Sequence, residues 1–360
     1  MTMDARKPPV TTAGMASLEA PPTLPPPLLA SGSPRRSYGA RLRTWLQRFG
    51  SIIALVVLTA AAGTLIPNFL SEENIRSQLQ TFGLETALLA VGQTLVVLTG
   101  GIDLSVGSLL AVGSCLAGSL VLSNVPFPLV FIIPMLLTTG LGAISGIVVS
   151  KARIQPIVVT LAMLIAARGL AQLITGGGGQ GHTLDLSNNL DFSTIATTQL
   201  GPLPVLGPIP ISVVLALVVY AITAFFLSRT ALGRYVFAVG GNERAARLSG
   251  VAADRVKILV YALSGLLAGL AGVLFASHNA TADPFNDGLY FELTTIAAVV
   301  VGGTSLLGGV GSVWRTLVGG LILVVLYALL VQFGLSQPAQ LIARGLIIAG
   351  AVLLQGGGES

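Results

Sequence analysis

Residues 84–122 read LETALLAVGQTLVVLTGGIDLSVGSLLAVGSCLAGSLVL. Two apolar runs, 84–99 and 102–122, stand back to back, with Glu85 and Asp103 as their only charged residues. A bilayer core about 30 Å thick needs roughly 20 apolar residues per helix, and fewer where a span is short or broken. Both runs fit that ruler and predict membrane spans. Gly100 and Gly101 break the helix between them. Backbone groups freed at membrane depth are tolerated only inside protein or around a watered cavity, so this break is either such an interior site or a cytoplasmic hairpin between the two spans.

The rest of the chain agrees. Only 9% of the 360 residues are charged, where a soluble domain carries about 25%. So much apolar surface cannot be hidden within one soluble core. Spans are expected near 50–67, 84–99, 102–122, 127–149, 154–175, 209–227, 257–278, 290–302, 313–333 and 339–355, giving an all-α polytopic membrane protein of about ten transmembrane helices. The stretch 284–312 reads either as two short spans or as one span with a re-entrant segment. An even count puts both termini on one side, and the charges say which. Seven Lys/Arg lie in residues 1–50, two are Lys151 and Arg153, and six lie from Arg229 to Lys257. The opposite loops hold Glu72, Glu73, Asp185, Asp191, Asp283 and Asp287, with Arg76 as their one basic residue. The positive-inside rule then predicts N-in, C-in topology, and it accounts for a net charge of +5 without nucleic acid. The first apolar run begins near Ser51, so it reads as a retained span and not as a cleaved signal.

Eight of the nineteen prolines fall at or before Pro34. Residues 1–45 therefore read as a disordered cytoplasmic tail or, alternatively, a Pro-rich recognition tail. Residues 46–355 form the transmembrane domain, with a basic cytoplasmic loop at 228–256, and 356–360 form a short C-terminal tail. Residues 176–208 make a polar, Gly/Pro-rich loop on the other side. Gly142/Gly146 and Gly265/Gly269 have the spacing that lets helices approach closely in lipid.

Enzyme chemistry finds little support. The lysines are Lys7, Lys151 and Lys257, and no phosphate loop of the G-x-x-x-x-G-K-[ST] type is present. The match to G-x-G-x-x-G at 176–181 lacks its strand and helix context. His182 and His278 have no metal-ligand spacing, Cys115 is the one cysteine, and no Ser/His/Asp or Cys/His set shares a membrane depth. No metal site and no cofactor bound by this chain are expected.

Ionisable residues inside spans are the better pointers, because an intramembrane charge is costly and marks a functional site by default. Asp103, with Ser105 beside it, is either such a site or a cap for the following helix. Arg168 lies well inside the run 154–175. It must face water or a partner, either a substrate hydroxyl or an acid such as Glu292. Arg344 carries the same argument, while Arg315 can snorkel to an interface. The segment 302–309, GGTSLLGG, echoes the GG-x-x-L-x-x-G spacing that begins at Gly100 and hints at internal duplication.

In the basic loop, residues 242–249 can form a short helix capped by Asn242 and stopped at Gly250, which would take a left-handed conformation. Arg244 and Arg247 stand at i,i+3, and Ala245 and Ala246 permit close approach. Such a helix could dock in a groove on a soluble partner. The plainer alternative is a solvated loop whose arginines set topology.

Several blocks then appear in one order: GGIDLSVGS at 100–108, TLAMLIAARGL at 160–170, GNERAARLSGV at 241–251, VYALSGLLAGLAGVL at 260–274 and ELTTIAAVVVGGTSLLGG at 292–309. Together they resemble the permease of ribose-type ABC sugar importers, over about residues 80–355. The resemblance implies an ABC importer permease fold in the cell inner membrane and a pore built from two copies or from a copy and a paralogue. It implies ATP-binding subunits that carry ATP and Mg, and a periplasmic or lipoprotein sugar-binding protein. Asn242, Arg244, Ala245, Ala246, Arg247 and Gly250 would form the coupling segment, with Arg244 where the related motif has Glu. The family carries Asn in the ninth span, where this chain has Tyr327, Ala328 and Val331, and often Asp where Thr294 stands. The expected function is inward movement of a monosaccharide, a ribose-like pentose or a hexose. A nucleoside, branched-chain amino acid or furanosyl signal is the nearest alternative. An ion-coupled secondary transporter working alone is the alternative from another class.

Overall fold

The computed structural model describes residues 38–176, 182–203 and 207–356. The expected tail before residue 38, most of the glycine-rich match at 176–181 and the residues after 356 lie outside these. The chain divides into two units, 1–46 and 47–360. Of the first, only the backbone at the start of α1 (Tyr38–Leu65) is described, a start that falls inside the stretch expected to be tail.

In the second unit, helices follow one another with little else. A polar helix α2 (Glu72–Thr81) runs through a π-helical stretch, Phe82–Ala87, into α3 (Leu88–Leu98). The combined rod is bent by 46° at that stretch, where an i→i+5 turn interrupts the ladder. α4 (Val106–Leu122), α5 (Phe127–Lys151) and α6 (Pro156–Ile174) follow. A loop region then holds β1 (Leu184–Asp185), α7 (Leu190–Thr197) and the β2 (Gln199–Leu203) and β3 (Gly207–Pro210) hairpin. α8 (Ile211–Arg229), α9 (Ala231–Gly241), α10 (Glu243–Leu248) and α11 (Ala253–Asn279) come next. β4 (Thr281–Ala282) pairs antiparallel with β1, and α12 (Phe291–Val301), α13 (Val313–Gln332) and α14 (Gln337–Gly356) complete the chain.

Among the described residues, five helices are long and apolar enough to cross a bilayer: α5, α6, α8, α11 and α13. The segment expected to hold two short spans or a re-entrant loop contains one eleven-residue helix, α12, followed by loop.

Helix α11 is the centre. In its most apolar window 61% of residues are buried, against 22% in α5 and 17% in α6. Small residues let its neighbours approach. A methyl group built on Gly146 of α5 would lie 2.7 Å from Ile258 Cα, and one on Gly265 would lie 3.3 Å from Gly142 Cα. The two Gly-x-x-x-Gly pairs read from the sequence thus pack against each other. On the α4 side, Gly113 meets Gly269 in the same way, its built methyl 3.0 Å from Gly269 Cα.

A local pattern occurs twice. α3 ends with Thr99 N donating to Val96 O (3.0 Å), Gly100 N to Val97 O (2.8 Å) and Gly101 N to Val96 O (3.1 Å). α12 ends with Gly302 N donating to Ala298 O (2.9 Å), Gly303 N to Val300 O (2.8 Å) and Thr304 N to Val299 O (3.1 Å). Gly100 and Gly303 both have φ +78. Each end is a Schellman motif, in which a left-handed residue past the helix satisfies its last carbonyls. The caps therefore equate Gly100 with Gly303, one residue out of register with the sequence echo, which pairs Gly100 with Gly302. The next turns match as well. α4 and α13 end at Asn124 (φ +54) and Gly334 (φ +70), and α5 and α14 each carry proline second, as Pro128 and Pro338. The two breaks differ in length: residues 302–312 make the second four residues longer than the first, 99–105.

Candidate functional site

Three polar regions stand out, at two ends of the bundle. The first is the basic segment around α10. Thr230 begins it, its Oγ1 accepting from Gly233 N (3.0 Å) to cap α9. Asn242 then caps α10, with Oδ1 accepting from Ala245 N (2.9 Å). The helix stops at Gly250, φ +83, where Gly250 N donates to Arg247 O (3.0 Å) and Val251 N to Ala246 O (3.0 Å). The cap and stop expected from sequence are both found. The stretch before them, expected to be loop, is the helix α9.

Six residues give α10 an inner and an outer face. Ala246 is buried against the chain itself, whereas Arg244, Ala245 and Leu248 point outward, Leu248 with 85% exposure. Of the two alanines expected to permit close approach, Ala246 therefore anchors α10 to its own bundle. Arg247 is paired with Glu243 (2.8 Å) and with Asp254, and Lys257 Nζ lies 2.6 Å from Glu243. Partial burial would raise the Glu243 carboxyl, but the hydrogen bonds from Lys257 and Arg247 hold it below its ordinary value. These pairs use up the local acids. Arg244 has no acid within ion-pair reach among the described residues. It borders a cleft of about 490 Å³ between α10 and the α5–α6 turn, whose walls include Ser150, Arg153, Gln155, Glu243 and Lys257.

The second region is the first break. Asp103 and Ser105 are fully buried. Asp103 Oδ1 accepts from Ser105 N (2.9 Å) and Ser105 Oγ (2.6 Å), and Oδ2 accepts from Ser264 Oγ of α11 (2.9 Å). Gln93 reaches back along α3: its Nε2 donates to Asp103 O (2.9 Å) and its Oε1 accepts from Asp103 N (3.3 Å), the amide orientation following from this network. Thr160 Oγ1 of α6 donates to Ile102 O (3.2 Å). A buried charge is tolerated when hydrogen-bonded in this way. The contacts make Asp103 a clasp between the break and α11: its bond to Ser105 N is an i,i+2 turn and does not reach the first turn of α4, whose N-cap is Ser105, and in this conformation neither residue faces open space.

The third region lies at the other end. Arg168 Nη1 donates to Pro284 O (3.0 Å) and Asp287 O (2.8 Å), so α6 grips the loop after β4 by its carbonyls. Among the described residues Arg168 makes no ion pair, although Glu292 is near enough to act on it electrostatically. Asp287 accepts from Ser114 Oγ and from Asp283 N (3.0 Å). Burial pushes the Asp287 carboxyl up to about 6, against the Ser114 hydrogen bond. Of the candidates read from sequence, Arg168 and Glu292 are thus brought near each other, while Asp103 and Ser105 form a separate cluster. Asp287, Ser114, Gln93 and Ser264 were not singled out. Their one signal was a polar residue inside or beside an apolar run.

A cavity of about 260 Å³ lies between α12, α13 and α14. Its walls are largely apolar, with Thr81, Thr86, Tyr290, Thr294, Tyr327 and Arg344 as polar members. Arg344 stacks over the Tyr327 ring, 3.8 Å from its centroid. Thr294 and Tyr327 are two of the positions at which the resemblance drawn from sequence implies a departure from the family.

The profile of the family described as branched-chain amino acid transport system / permease component matches residues 75–354. The ribose import permease protein of Haemophilus influenzae is 41% identical over 304 residues, covering 84% of this chain and 91% of its own. That of Bacillus subtilis is 38% identical over 309 residues, 86% of this chain and 92% of its own. The galactofuranose transporter permease protein of Escherichia coli is 36% identical over 271 residues, 75% of this chain and 76% of its own. No solved structure matches the chain.

Proposed function

The chain belongs to the family of branched-chain amino acid transport system permease components, and on that premise we propose that it is the pore subunit of an ATP-driven importer for a monosaccharide. The substrate class is supported by relatives named for ribose, galactofuranose, D-allose and fructose, each similar over most of this chain. ATP is hydrolysed on separate ATP-binding subunits, and a sugar-binding protein delivers the solute. Two permease chains, identical or paralogous, form the pore. The chain crosses the inner membrane about ten times, with both termini and α10 in the cytoplasm. Arg168 and Glu292 face the solute path, and Asp103 and Ser105 hold the break beside it.

The observation that carries this reading is the outer face of α10. A capped helix turns an uncompensated arginine, Arg244, and an exposed leucine, Leu248, away from the bundle, beside a cleft whose other wall is the α5–α6 turn. A loop kept only for topology has no need of two caps and an inward-facing alanine. A short helix with one cationic and one apolar outward side chain fits a groove on a soluble protein, with acidic groups at its rim and an apolar floor.

Co-purification tests it. Arg244→Glu with Leu248→Asp should leave the permease inserted but lose the ATP-binding subunit, and raising the salt should weaken the unsubstituted complex. Full retention of the subunit by the doubly substituted chain would overturn the docking role of α10.

A further inference from the structure

The residues just before α10 meet both helix breaks at one point, and they meet backbone to backbone. Gly309 N, in the second break, donates to Leu98 O at the end of α3 (3.0 Å), so the second break satisfies a terminal carbonyl of the helix before the first. Gly240, in the last turn of α9, sits over this bond: a methyl group there would run into both Leu98 O and Gly309 N. A methyl on Gly308 would lie 2.7 Å from Gly100 N and 3.0 Å from Gly240 O. Gly308 and Gly309 have φ +91 and +73, left-handed conformations that favour glycine. Asn242, which caps α10, follows Gly240 by two residues.

We propose that this junction passes movement of α10 to α3 and α12, with Gly240 and Gly309 as its positioning residues. The proposal rests on the reading that α10 is held by an ATP-binding subunit. Over much of the bundle side chains separate the helix backbones and their rotamers can absorb a displacement, although pairs of backbones also meet directly at Gly142–Gly265 and Gly113–Gly269. Here three backbones touch with no side chain between them, and a close-packed contact shifts as a unit. The two helices it would move lead to the other polar regions. α3 carries Gln93, which holds Asp103. α12 carries Glu292, near Arg168, and Thr294 in the cavity wall.

The chain contains its own control. Gly241 is adjacent, yet a methyl group built on it meets nothing within 4 Å. In the complete importer, reconstituted with its ATP-binding subunits and binding protein, Gly240→Ala should leave the subunits bound and hydrolysing ATP. Solute moved per ATP should fall by roughly 5-fold or more, the lower end of a typical coupling between sites. Gly241→Ala should leave that ratio unchanged. An unchanged ratio in Gly240→Ala, or an equal fall in both, overturns the junction. A second measurement covers failure of Gly240→Ala to assemble. Spin labels placed on the exposed residues Tyr235 of α9 and Leu307 should keep one separation with and without ATP, whereas labels on Tyr235 and Leu173 should change theirs. Movement of the first pair as large as that of the second overturns the proposal. Absence of the ATP-binding subunits from the unsubstituted complex would instead remove the docking reading, and this one with it.

Discussion

The two breaks have the same beginning and different interiors. Each follows an eleven-residue helix, α3 or α12, and each begins with the same Schellman bonds around a glycine at φ +78. Past that cap the first break is short and closes around a buried carboxylate held by Ser105 and Ser264. The second is longer, carries no ionisable side chain, and exposes Leu307 and Val310. The shared beginning is a property of backbone geometry, which any helix ending in glycine can adopt. The difference lies in what fixes the chain afterwards, side-chain hydrogen bonds to a charge in one case, and in the other turn bonds, backbone contact and bonds to the neutral hydroxyls of Ser305 and Thr304. A clasp of the first kind resists opening, and a hinge of the second kind can shift without leaving a buried charge unpaired.

The largest effect should come from the clasp. Asp103→Ala leaves three donors without their acceptor, and hydrogen bonds to a charged group are worth about 1.5–3 kcal/mol each. A loss of about 3 kcal/mol in stability is expected in unfolding of the detergent-solubilised protein, whereas Thr304→Ala in the second break should cost about 1 kcal/mol or less. Equal costs would erase the distinction between clasp and hinge.

Next comes Arg168, whose guanidinium holds the loop carbonyls of Pro284 and Asp287 and, at longer range, that of Phe285. Arg168→Met should cost about 2 kcal/mol and lower uptake, while Arg168→Lys should recover part of both. Uptake and stability that survive Arg168→Met would detach this end of the bundle from the transport path.

The caps should give smaller and matching effects. Alanine in the left-handed conformation costs roughly 1–2 kcal/mol, and a methyl on either glycine meets only light contact, 3.4 Å to Leu307 O from Gly100 and 3.9 Å to Arg315 Nη1 from Gly303. Gly100→Ala and Gly303→Ala should therefore cost the same. A cost confined to one of them would mean that the two ends are not equivalent.

The smallest effect is one of pH. Burial raises Asp287, so the native state holds its proton more tightly than the unfolded chain does. The stabilisation this brings is complete below the ordinary aspartate range and fades as pH rises through about 6. The melting temperature should fall as pH rises from about 4 to about 6, and this component of the fall should vanish in Asp287→Asn. Identical pH profiles would show that Asp287 does not carry it.

Much of the architecture was legible in the letters. The apolar runs fall on helices α3 to α6, α8 and α11 to α14 within a few residues, and on α1 apart from its start twelve residues early, because span length is a physical requirement that composition records directly. The Gly-x-x-x-Gly pairs found each other for the same reason. Helix α2 was not legible: EENIRSQLQT has only Ile75 and Leu79 as apolar residues, too few to mark a span, and the helix exists as a polar extension capped by Ser71 Oγ. α9 was read as loop because its glycines and arginine mask a helix set by the Thr230 cap. The repeat was visible but misaligned by one residue, since the equivalence lies in φ angles and carbonyl bonds and not in the letters. At the site, sequence identified the charges at depth but not their company. Whether Asp103 faced solute or serine depended on α11, distant by 161 positions at Ser264.

The central claim, an ATP-driven pore for a monosaccharide, is tested most directly by uptake of labelled ribose into proteoliposomes that contain the chain with its ATP-binding subunits and binding protein. Accumulation should require ATP, should stop when the ATP-binding subunits are left out, and should persist when an ionophore collapses every ion gradient. Accumulation by the chain alone, driven by an ion gradient and indifferent to ATP, would contradict the account.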